Sequence, residues 1–174
     1  ITLDELFPGE DLLTALKNDA EKRMATRQSI NHKKKYLVDY WDEIVELDTD
    51  NTFLQTAQRE EILDIVNSYM EMYTTLVFFT LQKTVPSDLP KRNPQNWHRD
   101  PQEKRICKVF IYLNDIEDDS GPFVYIPESA PGYKYGHLFP QKIPAGSYPK
   151  EEAVLEAIPK SEHRKMTAPA GTII

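Results

Sequence analysis

The stretch that decides the fold covers residues 96–129 and reads NWHRDPQEKRICKVFIYLNDIEDDSGPFVYIPES. Its middle, Ile106–Leu113, is rich in β-branched and aromatic residues, a composition that predicts a strand. A turn follows at Asp118–Pro122, and Phe123–Ile126 predicts the next strand. Two short strands joined by an acidic turn that contains glycine indicate a β structure for this part of the chain.

Further elements are predicted on both sides of this stretch. Upstream, Thr74–Leu81 has the composition of a strand. Downstream, the segment Pro127–Pro149 is rich in proline and glycine and predicts a long loop, and Glu151–Ile158 predicts a short helix. The chain then turns at Thr167–Thr172 into Ile173–Ile174, the start of another predicted strand.

Residues 1–72 carry apolar residues at helical spacing instead. Amphipathic helices are predicted from Leu12 to Ala20, from Tyr36 to Leu47 and from Thr52 to Met70. Helices followed by short strands predict a mainly β fold with flanking helices, in the α+β class. We therefore expect one domain over residues 1–174, with a helical flank at 1–72 and a β sandwich or barrel at 73–174.

The composition excludes several classes of protein. The 174 residues carry a formal net charge of −7, whereas a nucleic-acid-binding surface normally shows a basic stripe, so no nucleic-acid partner is expected. The sequence contains no apolar run as long as a membrane span, so no membrane segment is expected. The single cysteine, Cys107, excludes an internal disulfide and predicts a cytoplasmic protein. Its apolar surroundings favour a small core residue over a nucleophile.

His98 and Asp100 are the candidate metal ligands. In an extended segment, residues two apart project from the same face, so the imidazole and the carboxylate can converge while Arg99 faces away. Two histidines and one carboxylate hold iron(II) in non-haem oxygenases and leave three of six positions open. On the His-x-Asp pattern alone, however, an ordinary surface pair remains the alternative, because the pattern often arises by chance.

The surrounding block resembles the phytanoyl-CoA dioxygenase family of 2-oxoglutarate-dependent oxygenases. The resemblance is carried by four segments in the family's order and spacing: Asn96–Asp100, Lys108–Asp115, Asp118–Pro122 and Phe123–Ser129. The closing Pro-Ala-Gly-Thr-Ile-Ile is also similar to the family's approach to its last metal-binding strand.

This resemblance implies a fold and a chemistry. The fold is a double-stranded β-helix (a jelly-roll or cupin-like core) behind an N-terminal helical region. The metal is Fe(II), bound by His98 and Asp100 as catalytic ligands, with 2-oxoglutarate and O2 as co-substrates. The implied reaction is hydroxylation of a C–H bond of a small-molecule substrate. Family relatives that halogenate have a small residue at the position of Asp100, so its carboxylate favours hydroxylation.

The same resemblance implies a third ligand and an anchor for the co-substrate. They are a distal histidine and an arginine that holds the far carboxylate of 2-oxoglutarate. Both are expected beyond Ile174, so we expect the C-terminal strands to be truncated and the domain to be incomplete. His137 lies in the long loop and His163 in a charged segment, so neither occupies the family's position, and neither is expected to bind the metal.

Four further residues are expected to contact the co-substrate. By resemblance, Phe110 and Tyr112 face the interior of the barrel, Phe79 lines the pocket and Lys83 lies at its rim. The opposite register, in which the Val–Ile–Leu face of the strand points inward, remains open. Arg99 has two interpretations, a binder of an anionic group of the substrate or a structural salt bridge.

Two other functions remain as alternatives. The first is a non-catalytic jelly-roll binding module that keeps the motifs without the iron chemistry. The second is a cupin-type metalloenzyme that does not use 2-oxoglutarate. A histidine and an arginine after Ile174 would separate the oxygenase from the binding module.

Overall fold

The computed structural model describes residues 1–26, 36–40, 50–85, 95–100, 105–142 and 146–174. The chain divides into two compact units. The first unit comprises Ile1–Ser87, Val109–Gly121 and Ala168–Ile174, and the second comprises Asp88–Lys108 and Pro122–Thr167. The first unit therefore combines the helical N-terminal region with parts of the predicted β core.

The described part of the first unit contains four helices: α1 (Leu3–Leu6), α2 (Leu12–Thr26), α3 (Thr52–Ala57) and α4 (Glu60–Met70). α1 begins in a capping box, in which Thr2 and Glu5 each accept a hydrogen bond from the other's backbone N–H. Such a box satisfies donors that the first turn of a helix leaves unpaired. α2 confirms the helix predicted from Leu12 and buries Leu16 and Ala20.

The single helix predicted from Thr52 to Met70 is wrong, because the chain forms α3 and α4 there. Between them Arg59 adopts an extended conformation, with ψ of 139°, which interrupts the helical hydrogen bonds. Its guanidinium binds the carboxylate of Glu10 at 2.6 and 2.8 Å. This partner is distant in sequence, so the helical spacing of residues 52–70 gave no sign of the break.

The strands of the first unit also differ from the prediction. β1 (Leu37–Asp39) pairs antiparallel with β2 (Gln82–Thr84), with Val38 opposite Lys83. The helix predicted from Tyr36 is therefore wrong over Leu37–Asp39, and residues 41–47 lie outside the described residues. The strand predicted at residues 74–81 is also wrong, because the ladder begins at Gln82. The composition of a segment does not predict whether another segment pairs with it, and a strand forms only where such pairing occurs.

The strand predicted at residues 106–113 is confirmed only around Ile111. Phe110 and Ile174 exchange two backbone hydrogen bonds of 2.9 Å, and Ile111 forms an antiparallel bridge with Ile173. The predicted turn into Ile173 is present, with Gly171 at φ 85° and its N–H donating to the carbonyl of Tyr112. Positive φ favours glycine at this position, because a side chain there would be strained.

The core of the first unit settles which face of this strand packs against the helices. The largest buried cluster contains Leu3, Phe7, Leu16, Ile62 and Ile173, and Ile111 and Leu113 pack against it. Since side chains alternate along an extended segment, Phe110 and Tyr112 belong to the other face, where both are half-buried.

The second unit is built around its own apolar cluster. It contains β3 (Val124–Tyr125), α5 (Glu151–Ala157) and β4 (Arg164–Lys165), and β3 pairs antiparallel with β4. The cluster comprises Ile126, Tyr135, Phe139, Val154 and Ile158, with Trp97 and Leu138 packed against it. Three predictions are thus confirmed in the described residues: the strand at 123–126, the helix at 151–158 and the long loop. The strand is shorter than predicted, and the loop contains a 3₁₀ turn at Gly136–Leu138.

The observed class is mixed α and β, with short antiparallel strand pairs in the described ranges. The α+β prediction is confirmed at this level, whereas the jelly roll remains a prediction. Within the same ranges, no helix has both the length and the apolar composition that crossing a membrane requires.

Candidate metal centre

The segment that carries the predicted ligands His98 and Asp100 is held by a backbone bridge at Arg99. Arg99 and Ser147 form an antiparallel bridge, with hydrogen bonds of 2.9 and 3.2 Å between their backbones. Bridge geometry keeps the segment extended, so His98 and Asp100 project from the same face. The structure brings His98 Nε2 to 3.6 Å from Oδ1 of Asp100.

The ring of His98 is oriented by a local backbone contact. Its Nδ1 lies 2.8 Å from the carbonyl oxygen of Asn96. A carbonyl oxygen has no proton to donate, so in this contact Nδ1 carries the proton, and a neutral ring then has its free lone pair on Nε2. Tyr148 stacks on the ring with 5.6 Å between centroids and 16° between planes. Nε2, the nitrogen that faces Asp100, is therefore the one available to a metal.

The carboxylate of Asp100 has a second neighbour on its other side. Lys108 Nζ lies 2.7 Å from Oδ2. The amide of Gln141 donates to the backbone carbonyl of Asp100 at 3.2 Å. The side chains of His98 and Asp100 are 23% and 26% exposed, so both remain accessible to a small ion and its ligands.

The pair has the geometry that a divalent metal needs. Two adjacent ligand atoms of an octahedral ion, each about 2.1 Å from the metal, lie about 3 Å apart. The 3.6 Å separation between His98 Nε2 and Asp100 Oδ1 is close to this value. The protonated Nδ1 on a backbone carbonyl is the outer contact typical of metal-bound histidines. The residues present therefore fit a metal, and no group of three possible ligands occurs within the described ranges.

Arg99 serves the structure of the second unit. Its guanidinium points away from the ligand face, donates through Nε to the carbonyl of Phe139 at 2.7 Å, and donates through Nη2 to the carbonyl of Ser129. These contacts fasten the long loop to the ligand segment. These contacts favour the structural interpretation of Arg99 over the binding of an anionic group of the substrate. The partners of its guanidinium are backbone carbonyls.

The four residues expected to contact the co-substrate lie in the first unit. Phe79 is half-buried and packs against the cluster of Ala20 and Leu81, and Lys83 is exposed on β2. Phe110 and Tyr112 are half-buried on the face opposite Ile111 and Leu113. Their roles at the co-substrate therefore remain predictions.

The other two histidines in the described ranges have different surroundings. His137 is exposed in the 3₁₀ turn. His163 packs edge-on against Trp97, with 5.0 Å between centroids and 71° between planes. Its Nε2 is buried and has no hydrogen-bond partner among the described residues. Neither contact involves His98 or Asp100.

Sequence reasoning missed three neighbours of the pair, namely Lys108, Gln141 and Tyr148. Lys108 lies two and four residues before Phe110 and Tyr112, so alternation along a strand puts all three on one face, which is a partial signal. Gln141 and Tyr148 lie in the long loop, where no periodicity operates. Cys107, which precedes Lys108 in the chain, is half-buried, and burial raises the pKa of its thiol, which supports a packing role.

Comparison with known proteins gives one family. The family model described as phytanoyl-CoA dioxygenase (PhyH) matches residues 7–174. No curated protein and no solved structure matches the chain. Because the family model covers nearly the whole sequence, the chain belongs to the phytanoyl-CoA dioxygenase family.

Proposed function

We propose that this protein is an Fe(II)- and 2-oxoglutarate-dependent dioxygenase that hydroxylates a C–H bond of a small-molecule substrate. The observation that carries the proposal is the convergence of His98 Nε2 and Asp100 Oδ1, with Nδ1 tied to a backbone carbonyl. Family membership supports the oxygenase class. When bound, the iron supplies the oxygen chemistry, and the protein supplies ligands, orientation and exclusion of water.

His98 and Asp100 have distinct tasks in this proposal. His98 presents a neutral nitrogen, and the Asn96 carbonyl together with the stacked Tyr148 limits rotation of its ring. Asp100 provides the negative charge that partly compensates the charge of the metal. A third ligand, a histidine following Ile174, completes the set in the proposal, and a nearby arginine binds the far carboxylate of 2-oxoglutarate.

Phe110 and Tyr112 are proposed to line the co-substrate pocket. Their support is that Ile111 and Leu113 pack against the helical core, so that Phe110 and Tyr112 lie on the opposite face of the same segment. Lys83, exposed on β2, is proposed at the rim. Phe79, which packs against the cluster of Ala20 and Leu81, is proposed as a further lining residue.

The test is anaerobic addition of Fe(II) and 2-oxoglutarate to the full-length protein. We expect a weak visible charge-transfer band, because the keto acid chelates the metal through two of its open positions. His98→Ala and Asp100→Ala are expected to lose the band and to stop the formation of succinate. His137→Ala removes an exposed histidine of the same unit and is the matched control.

The same experiment separates the alternatives. A folded full-length protein that binds metal without developing the band would favour a cupin-type enzyme that does not use 2-oxoglutarate. A protein that binds neither metal nor keto acid would favour a binding module. The unbridged Cys107 supports a reducing compartment such as the cytoplasm as the place of action.

A further inference from the structure

The two carboxylate oxygens of Asp100 have different neighbours. Oδ1 faces Nε2 of His98 at 3.6 Å, whereas Oδ2 lies 2.7 Å from the ammonium of Lys108. The backbone carbonyl of Asp100 is held separately by the Gln141 amide. Lys108 thus holds the carboxylate at Oδ2, and Oδ1 is the oxygen that faces the histidine.

This difference matters for metal chemistry. A carboxylate binds a cation through one oxygen or through both, and the second mode occupies an additional coordination position. With three protein ligands on an octahedral ion, binding through one oxygen leaves three open positions. Binding through both leaves two, which is too few for a chelating keto acid and oxygen together. An ammonium held against Oδ2 opposes the second mode, because it competes for that oxygen.

We propose that Lys108 is a positioning residue that keeps Asp100 a one-oxygen metal ligand through Oδ1. This inference rests on the proposed function, because it requires a metal at His98 and Asp100. Lys108 is the first residue of the segment Lys108–Asp115 that resembles the family, but the resemblance gives this lysine no role. The ion pair is partly exposed, at 38% for Lys108 and 26% for Asp100, so it contributes little to folding. Variants of Lys108 are therefore expected to fold.

The test uses Mn(II) as the probe in the full-length protein without co-substrate. Relaxation of water protons reports how many water molecules bind each Mn(II) ion directly. We expect about three in the unmodified protein and about two in Lys108→Met, because the released Oδ2 takes one position. Lys108→Gln also removes the ammonium and is expected to lose the same fraction, about one third, of the water molecules bound to Mn(II). Lys108→Arg keeps the charge and the donor and is expected to restore the original value.

The control is Lys150→Met, which removes one positive charge from an exposed position of the same unit. The Lys150 side chain makes no capping hydrogen bond to α5. This variant is expected to match the unmodified protein.

The outcomes separate this inference from the proposed function. If Lys108→Met and Lys108→Gln keep about three bound waters per Mn(II) ion, the inference is overturned. Weaker binding of 2-oxoglutarate by these variants would not rescue it, because Lys108 would then act on the anion directly. If Mn(II) does not bind the unmodified protein, or binds His98→Ala and Asp100→Ala equally well, the proposed metal centre itself fails.

Discussion

Replacing Arg99 by methionine tests how the ligand segment is fastened to the long loop. The guanidinium donates to the backbone carbonyls of Phe139 and Ser129, and methionine donates to neither. Hydrogen bonds from a charged donor contribute about 1.5–3 kcal/mol each. Since Arg99 is only half-buried, we take the lower end of this range for both bonds. The expected loss in the free energy of unfolding is about 3 kcal/mol.

The assay is urea unfolding followed by circular dichroism, together with Mn(II) titration of the folded protein. The matched control is Arg164→Met, because Arg164 is exposed and donates to the nearby Ser161 carbonyl. We expect this control to lose less than about 1 kcal/mol. Because His98 and Asp100 flank Arg99, Arg99→Met is also expected to weaken Mn(II) binding. Equal stability of the two variants, with unchanged metal affinity in both, would refute the reasoning.

Three further predictions concern the second unit. Ile158 is fully buried, so Ile158→Ala is expected to lower the free energy of unfolding by about 3 kcal/mol. Leu155 is 40% exposed, so Leu155→Ala is expected to lower it by less than half as much. Similar losses for the two variants in urea unfolding would contradict the assigned core. The Tyr135 hydroxyl lowers the pKa of Glu162 from its ordinary 4.5, and Lys134 adds to the effect. Tyr135→Phe should therefore be less stable than the unmodified protein at pH 7, and this difference should shrink as the pH falls below 4.5; a difference that stays constant down to pH 3 would argue against the contact. Burial raises the pKa of Cys107, so its thiol should react with a disulfide reagent at pH 8 more slowly than free cysteine does, and equal rates would show that the thiol is open to solvent.

The sequence predicted those parts of the structure that depend on local signals. α2, α5, the turn into Ile173 and the strand near Val124 follow from periodicity and turn residues, and all four are present. The orientation of His98, Arg99 and Asp100 also followed, because alternation along an extended segment is a property of the backbone itself.

The errors arose where a distant partner decides the local structure. Arg59 leaves the helical conformation next to its ion pair with Glu10, and no glycine or proline marks that position. Leu37–Asp39 is extended because residues 82–84 pair with it, although its apolar spacing suits a helix equally well. Likewise, Lys108 and Tyr148 meet the ligand pair through tertiary contacts, which a reading of spacing cannot supply.

The hydrogen bond between His98 and the carbonyl of Asn96 has a consequence for how this motif tolerates mutation. The acceptor is a main-chain oxygen two residues away, so every amino acid at position 96 presents the same group. The protonation pattern of the imidazole is therefore independent of the side chain at that position. Substitutions at residue 96 can accumulate, or be introduced by design, while the nitrogen offered to a metal stays the same.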